Sequence, residues 1–353
     1  MELKIEKITR TEPVKLPEQL VFGANFTDHM FVMDYENGEW TNAKITKYEN
    51  FSMSPAAMSL HYGQAIFEGL KAYIQDNGQV VMFRPDKNLE RMNNSAERLC
   101  MPRFDSDFVM DALTKLISIE KDWIPTKPGY SLYIRPFMFA TEGALGVRPA
   151  TKYKLFIILS PVGPYYALGF KPVPIYMTRD YVRAVRKGVG DCKCAGNYAA
   201  SLQAQMKAKD EGYSQVLWLD AIEQKYIEEV GTMNIFIRFK DEIATPRLTG
   251  SILPGVTRLS ALQILRDWDM NINERDISLD EVFEAYGAGN LVEVFGTGTA
   301  AVISAVSRIK LDDKMINFDE NEPGELSKKL YKEITDIQYG RIEDRYGWIK
   351  KVD

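Results

Sequence analysis

The chain has 353 residues, of which 45% are hydrophobic, 11% aromatic and 26% charged. This length and composition are typical of a folded protein with about two domains, and they exclude disordered, collagen-like and coiled-coil chains. The 44 basic and 49 acidic residues leave a net charge of -5. We therefore expect neither nucleic acid nor a membrane surface as a partner, because both require a large basic surface.

The histidine and cysteine content narrows the possible chemistry. His29 and His61 are the two histidines of the sequence, and most metal centres and hydrolytic triads need this residue. We expect no metal, and a proton carrier that is a lysine, a tyrosine, a carboxylate or a cofactor. Three cysteines are too few for a disulfide framework, and the N-terminal segment MELKIEKITRTEPV lacks the apolar core of a signal peptide. These features predict a cytoplasmic protein.

The first half of the chain predicts a mixed α+β domain. Asn37-Gly38 and 76–78 have the composition of hairpin turns between short strands. Apolar residues at helical spacing predict helices over 86–99 and 108–119. Two apolar segments predict strands over 131–140 and 153–159.

The segment PVGPYYALGFKPVP, residues 161–174, is dense in proline, glycine and aromatic residues and is typical of an ordered linker. We predict a small domain over 1–161, a linker over 162–172 and a larger domain over 173–353. Ser278 and Glu281 have capping-box spacing. In the second half, strands are predicted over 175–178, 215–219, 234–239, 291–295 and 301–309, and helices over 198–209, 258–268, 280–286 and 325–338.

Lys193 lies in an unusual sequence, GVGDCKCAGNY (residues 188–198), between a predicted strand and a predicted helix. Most lysines of this kind are simply solvated in a surface loop. The alternative is a partly desolvated amine that acts as a Schiff-base nucleophile and proton shuttle. Cys192 and Cys194 do not make a metal site, because no other cysteine or histidine is near them in the sequence.

Three further segments have the composition of a binding site. Glu228 and Glu229 lead into an apolar strand, which requires a positive partner, either in a structural ion pair or in a ligand. The segments ILPGVTR (252–258) and FGTGTA (295–300) offer backbone amides and hydroxyls that suit a small phosphate group. Neither segment has the spacing of a nucleotide-binding glycine loop.

The segment LYIRPF (132–137) is predicted as a strand in which Tyr133, Arg135 and Phe137 share one face. This face is either a solvated surface with one arginine or the wall of a pocket. Such a pocket would bind an amino acid with an apolar or anionic side chain.

Together these segments resemble the branched-chain-amino-acid aminotransferases, pyridoxal-phosphate enzymes of fold type IV. The resemblance is carried, in family order over residues 22–341, by FGANFTDHM, LHYGQAIFEGLKAY, LYIRP, the lysine segment ending in GNYA, EEVGTMN, ILPGVTR, FGTGTA and TDIQYG. It implies a two-domain α+β fold similar to D-amino acid aminotransferase, with a small N-terminal domain and a larger pseudo-barrel domain. It also implies reversible transfer of an amino group between L-leucine, L-isoleucine or L-valine and 2-oxoglutarate.

The resemblance also implies roles for individual residues. Lys193 would be the Schiff-base and proton-shuttle residue, and Glu229 would pair with the pyridine nitrogen of pyridoxal 5'-phosphate. Tyr198 would form a hydrogen bond with the ring hydroxyl oxygen of the cofactor. The other implied cofactor residues, mainly around the phosphate, are Arg91, Leu253, Val256, Thr257, Gly298 and Thr299, with Arg183 as a helper. The implied substrate residues are Phe26, Tyr62, Phe67, Tyr133, Arg135, Thr232 and Ala300.

In this family the loop near Leu145 and Val147 reaches the neighbouring subunit, which implies a homodimer. The sequence departs from mammalian members at 301–304, where AVIS replaces their CxxC pair, so we expect no thiol switch there. Three alternatives stay open at this point: a D-amino-acid aminotransferase, an aminodeoxychorismate lyase, and a non-catalytic amino-acid-binding protein.

Overall fold

A computed structural model describes residues 1–164 and 170–352. The chain divides into two compact units, one of residues 1–165, 192–196 and 336–353, the other of 166–191 and 197–335. We call them unit 1 and unit 2. Residues 165–169 of the predicted linker lie outside the described residues, and the predicted domain boundaries stay predictions. The segment 192–196, which contains Lys193, groups with unit 1.

The elements have the following bounds. The strands are β1 (Lys4–Ile5), β2 (His29–Glu36), β3 (Glu39–Lys47), β4 (Ala65–Phe67), β5 (Leu70–Ile74), β6 (Val80–Phe83), β7 (Ser131–Ala140), β8 (Tyr153–Val162), β9 (Val173–Met177), β10 (Gln215–Leu219), β11 (Ile227–Val230), β12 (Met233–Phe239), β13 (Ile243–Pro246), β14 (Ile272–Arg275), β15 (Leu291–Gly298), β16 (Val302–Leu311), β17 (Lys314–Asn317) and β18 (Ile349–Lys351). The helices are α1 (Met58–Tyr62), α2 (Pro85–Arg98), α3 (Ser106–Ile119), α4 (Ala195–Asp210), α5 (Val256–Asp267), α6 (Leu279–Gly287) and α7 (Glu325–Gln338), with a 3-10 turn at Lys121–Trp123.

Unit 1 is built on one sheet with the strand order β1-β3-β2-β8-β7-β5-β6-β18, and β4 pairs with β7. The β2–β3 hairpin turns at Asn37 and Gly38, both of which have positive φ, as the sequence predicts. Helix α2 buries Leu89, Met92 and Ala96 at helical spacing. Strand β7 pairs with β8, β5 and β4. Helix α2 carries Arg91, and β7 carries Tyr133 and Arg135.

Unit 2 contains a closed barrel. Six strands follow one another as β11-β10-β9-β16-β15-β12, and β12 pairs again with β11 to complete the ring. Aliphatic side chains such as Ile175, Leu217, Ile235 and Val294 pack as a buried core. The α+β class, the two-domain arrangement and the barrel are therefore confirmed. Among the described residues, no helix has both the length and the apolar character needed to cross a bilayer.

Candidate active site

Lys193 lies immediately before α4 and is held through its backbone. Its N–H donates to Ser95 Oγ at 3.0 Å and its carbonyl accepts from the Phe67 N–H at 3.0 Å. The next residue, Cys194, forms an antiparallel bridge with Ile66. The side chain is partly buried, and Nζ lies 5.0 Å from the centre of the Phe67 ring. The structure thus shows a partly buried lysine whose backbone is fixed two residues before α4 begins.

Two cations lie close to the Phe67 ring. Arg135 Cζ lies 4.7 Å from the centre of this ring, close to the distance of Lys193 Nζ, and both contacts are in the range of cation–π attraction. Arg135 also donates from Nη2 to the Tyr133 hydroxyl at 3.2 Å. The prediction that Tyr133, Arg135 and Phe137 share a face is confirmed, because the Phe137 ring stacks on Phe67.

Gly69 explains how the Tyr133 ring fits at this face. A Cβ at position 69 would overlap the Tyr133 hydroxyl, so the glycine of the FEG segment is required by close approach. The other two predicted substrate residues of unit 1, Phe26 and Tyr62, lie earlier in the chain. Phe26 stacks on Tyr48 at 5.1 Å, and the exposed Tyr62 donates its hydroxyl to the Leu145 carbonyl at 2.7 Å.

Arg91 is buried on α2 and is bound by Glu68, a residue to which no motif assigned a role. Arg91 Nε lies 2.7 Å from Oε1 of Glu68 and Nη2 lies 2.8 Å from Oε2. Asn88 adds a bond of 2.8 Å to Oε2. Burial raises the pKa of the Glu68 carboxyl, but the Arg91 charge and hydrogen bonds outweigh burial, so the net shift lowers this pKa. Glu68 is therefore an anion that fixes the Arg91 side chain.

In unit 2, Glu229 lies on β11, and the β11–β12 hairpin gives it a partner. Gly231, with φ +58°, and Thr232 form the two-residue turn. This turn places Val230 opposite Met233 and Glu229 opposite Asn234. Residues opposite each other in an antiparallel pair share a face of the sheet. Asn234 Nδ2 accordingly donates to Glu229 Oε1 at 2.8 Å.

Arg183 contacts the other oxygen of Glu229, with 2.5 Å between Nε and Oε2. Among the described residues the Nε–H has no hydrogen-bond acceptor, so we treat this contact as an ion pair rather than a hydrogen bond. Arg183 Nη2 donates to the carbonyls of Gly190, at 2.9 Å, and Ser251. The family resemblance implied Arg183 only as a general helper of the cofactor. The structure places it on the carboxylate of Glu229.

Glu228, the neighbour of Glu229, makes different contacts. Its Oε1 accepts a bond from Ser251 Oγ, and burial, the largest influence, raises the pKa of its carboxyl. Glu229, in contrast, lines a small cleft of unit 2. The cleft is lined by Arg183, Asn197, Tyr198, Ser201, Glu229, Gly231, Thr232 and Leu253. Four predicted cofactor residues and one predicted substrate residue thus meet at one cleft.

The two predicted phosphate segments have the expected local structure. Gly255 is the N-cap of α5, so Val256 and Thr257 occupy its first turn, where backbone N–H groups are available to an anion. Gly298 ends β15, and Thr299 and Ala300 form the turn to β16. Both segments, 252–258 and 295–300, belong to unit 2.

Comparison with known proteins agrees with these observations. The family model "Amino-transferase class IV" matches residues 65–309. Branched-chain-amino-acid aminotransferase 2 of Bacillus subtilis is 52% identical over 351 residues, which are 99% of this chain and 97% of that protein. The crystal structure of the Escherichia coli branched-chain amino acid aminotransferase is similar with a TM-score of 0.78 and 26% identity, covering 93% of this chain and 100% of that one.

A second similar structure was solved with a ligand. It is the T.th. branched-chain amino acid aminotransferase with pyridoxamine 5'-phosphate, at a TM-score of 0.74 and 26% identity, covering 91% of this chain and 98% of that one. The family match spans more than half of the chain, and the identity to the Bacillus protein extends over nearly all of it. The chain therefore belongs to the class IV aminotransferases, and within them to the branched-chain-amino-acid aminotransferases.

Proposed function

We propose that this protein transfers the amino group between L-leucine, L-isoleucine or L-valine and 2-oxoglutarate, with Lys193 and Glu229 as the residues on which the chemistry depends. The observation that carries the proposal is the presence of both a fixed, partly buried lysine and a buried carboxylate in a chain of this family. Small-molecule amino acids and their 2-oxo acids are the substrates that such a site accepts.

Class IV aminotransferases depend on pyridoxal 5'-phosphate, which, when bound, supplies an electron sink for the charge that develops at the substrate Cα. The donor set of unit 2 fits this group. Glu229 offers a buried carboxylate to a ring nitrogen, Tyr198 offers a hydroxyl to a ring oxygen in the same cleft, and the first turn of α5 offers amides to a phosphate.

In the proposed mechanism Lys193 Nζ would be the atom that holds the cofactor. The same amine, once free, would take the proton from the substrate Cα and return it on the cofactor side of the substrate nitrogen. No histidine is needed for this transfer. Phe67 lies 5.0 Å from Nζ and keeps water from one side of the amine. Glu229 keeps a negative charge at the ring nitrogen.

We propose that the phosphate is held by Arg91, Thr257 and Thr299 with the backbone of Leu253, Val256 and Gly298. The substrate would be read by Tyr133 and Arg135 with Phe26, Tyr62, Phe67, Thr232 and Ala300. Aromatic walls suit a branched aliphatic side chain, and a single arginine beside a tyrosine hydroxyl suits the side-chain carboxylate of glutamate.

The test has two parts. Borohydride reduction of the protein with bound cofactor, followed by peptide mass spectrometry, is expected to label Lys193. A panel of L- and D-amino acids with 2-oxoglutarate is expected to show turnover of leucine, isoleucine and valine in the L form, and Lys193→Ala is expected to abolish it. Labelling of another lysine would contradict the mechanism. Preference for D-amino acids, lyase activity on aminodeoxychorismate, or binding without turnover would each favour one of the alternatives.

We also propose that the protein is a homodimer in the cytoplasm. Support for the dimer comes from two large apolar side chains at the loop that the family resemblance places near a neighbouring subunit. Leu145 is 68% exposed and Val147 is 86% exposed. Replacement of both by aspartate is expected to give a monomer in light scattering, and a dimer of unchanged mass would contradict the proposal. Fractionation of cells is the corresponding test of location.

A further inference from the structure

We propose that Arg183 and Asn234 are positioning residues that keep the Glu229 carboxylate ionised and in one orientation before any cofactor binds. We call this pair the Glu229 clamp. The inference rests on the proposed function, because it concerns the residue proposed to meet the cofactor nitrogen. It assigns a role to Asn234, which neither the motifs nor the family resemblance singled out, and a defined role to Arg183.

The burial of Glu229 is the first step of the argument. Glu229 is 3% exposed, and a carboxylate removed from water to this extent takes up a proton unless charge or hydrogen bonds compensate. Both of its oxygens are compensated within unit 2. Arg183 faces Oε2 at 2.5 Å and Asn234 donates to Oε1 at 2.8 Å. The charge is therefore stabilised by the protein itself.

Arg183 is in turn held in place by backbone. Its Nη2 donates to the carbonyls of Gly190 and Ser251, so the guanidinium bridges two segments of unit 2. A Cβ at Gly190 would lie 2.6 Å from Ala184 Cβ and would overlap the Ser251 carbonyl. The close packing of these segments thus determines where Arg183 can place its charge.

Asn234 holds the other oxygen and connects Glu229 to the segment before α5. Its Nδ2 donates a second bond of 2.8 Å to the Leu253 carbonyl. A Cβ at Gly255 would overlap Asn234 Oδ1, so this amide is tightly enclosed. With one Nδ2 hydrogen used for Glu229 and the other for Leu253, the amide has one orientation. Asn234 thereby fixes the position of Glu229 relative to the proposed phosphate-binding segment that contains Leu253.

The clamp has a consequence for proton position. When a basic ring nitrogen and a carboxylate share a proton, a cation in contact with the carboxylate lowers the affinity of the carboxylate for that proton. Arg183 contacts the carboxylate, so the shared proton is expected to stay on the nitrogen. A merely structural arginine would stabilise the fold without affecting where this proton lies.

The experiment compares the wild type with Arg183→Gln, Arg183→Lys and Asn234→Asp. Arg186→Gln is the matched control, because Arg186 lies in the same segment and its ion pair with Glu223 is 3.7 Å long. The first measurement is the dissociation constant of pyridoxal 5'-phosphate from each protein. The second is the ¹⁵N shift of cofactor labelled at the ring nitrogen, which reports protonation of that nitrogen. The third is the melting temperature of each apoprotein.

We expect Arg183→Gln to weaken cofactor binding about 10- to 100-fold, the equivalent of a hydrogen bond to a charged group, and to shift the ¹⁵N signal toward the neutral form. Arg183→Lys keeps the charge and should recover most of the affinity. Asn234→Asp puts a second carboxylate against Glu229 and should weaken binding to a similar extent. Arg186→Gln should stay within about twofold of the wild type.

The inference is wrong if Arg183→Gln lowers only the apoprotein melting temperature and leaves affinity and the ¹⁵N shift as in the wild type. If Arg183→Gln does not fold, the same test is applied to Asn234→Asp: unchanged cofactor affinity and an unchanged ¹⁵N shift in that variant would contradict the inference. A wild-type protein that binds no pyridoxal 5'-phosphate would instead contradict the proposed function. Binding by the wild type with unaltered binding by the variants contradicts only the clamp.

Discussion

Arg91 and Glu68 form a two-point ion pair in which Nε faces Oε1 at 2.7 Å and Nη2 faces Oε2 at 2.8 Å. Glu68 is fully buried, at 0% exposure, and also accepts from its neighbour, the Gly69 N–H, at 3.2 Å. A buried pair of this kind is costly to break, because the remaining partner keeps an uncompensated charge. The pair therefore links the stability of unit 1 to the position of a proposed phosphate ligand.

The first prediction concerns Glu68→Gln. At pH 7 we expect the free energy of unfolding to fall by about 3–5 kcal/mol, the typical cost of breaking a buried ion pair. Burial raises the pKa of Glu68, but Arg91 outweighs it and the pKa is lowered overall. The stabilisation is therefore complete above the unfolded pKa of about 4.3 and is lost as pH falls toward the folded pKa.

Urea unfolding at pH 7 and in the acid range below about pH 4 checks this prediction. The control is Glu90→Gln on α2, the helix that carries Arg91, since Glu90 makes an exposed pair with Lys87 at 2.7 Å and should change stability by less than about 1 kcal/mol. An equal loss from both variants at pH 7 would show that the buried pair has no special contribution.

The second prediction concerns Lys71, a buried cation on β5 that the proposed mechanism does not use. Lys71 is opposite Tyr133 in the β5–β7 pair, and burial lowers the pKa of its amine to about 8. Below pH 8 the folded state carries the full cost of burying this charge. The cost decreases as pH rises from about 8 to the unfolded value of about 10.4.

Lys71→Met is therefore expected to raise the free energy of unfolding at pH 7 by up to about 3 kcal/mol, which is the pKa difference in energy units. The gain should shrink between about pH 8 and pH 10.4. Denaturant melts across this range measure it, with the exposed Lys115→Met as the control. A gain that does not depend on pH would show that methionine acts through packing alone.

The third prediction concerns Gly190→Ala. The added Cβ would lie 2.6 Å from Ala184 Cβ and overlap the Ser251 carbonyl, which is one of the two acceptors that hold Arg183. Overpacking of this kind costs about 1–3 kcal/mol. We expect a lower melting temperature and weaker cofactor binding together, because the same displacement moves Arg183.

Gly287→Ala on α6 is the matched variant, since among the described residues no atom outside the neighbouring residues and the backbone of its own helix lies within 4 Å of its added Cβ. It should be neutral or slightly stabilising, as expected for alanine in place of glycine in a helix. If Gly190→Ala melts like Gly287→Ala and binds cofactor like the wild type, the packing around Arg183 is looser than the structure indicates.

The sequence predicts well those elements whose signal is local. Helix α7 has the predicted bounds of 325–338, and Ser278 caps α6 as the capping-box spacing predicts, accepting from the Glu281 N–H at 3.1 Å. Helix α4 begins at Ala195, three residues before the predicted start at 198. Ala195 and Gly196 carry no apolar periodicity, so nothing in the pattern showed that the helix starts so soon after Lys193.

The site residues that the sequence missed depend on tertiary contacts. Asn234 could have been found from the sequence, because a two-residue turn at Gly231 and Thr232 places it opposite Glu229. Glu68 and the contact of Arg183 could not, since their partners are 23 and 46 positions away along the chain and no spacing rule connects them. The family resemblance assigned the role to Glu229, whereas the residue pattern alone could not choose between Glu228 and Glu229, because it does not show which face of β11 borders the cleft.

The last prediction separates the two kinds of substrate through Arg135. This guanidinium lies over Phe67 at 4.7 Å and donates to Tyr133 at 3.2 Å, so we propose that it binds the side-chain carboxylate of glutamate and 2-oxoglutarate. Arg135→Met is expected to lower kcat/KM for 2-oxoglutarate about 10- to 100-fold, the value of a charged hydrogen bond. The half-reaction with leucine, which has no side-chain charge, should change by less than about threefold.

Single-turnover measurements of each half-reaction, followed through the absorbance of the bound cofactor, give the two values independently. Arg103→Gln is the control in unit 1, because Arg103 pairs with Glu97 at 2.7 Å on an exposed surface. If Arg135→Met slows leucine and 2-oxoglutarate by the same factor, Arg135 supports the pocket as a whole and does not select the acidic substrate. A selective loss would show that one cation lets a largely aromatic pocket accept an anionic side chain in alternation with an aliphatic one.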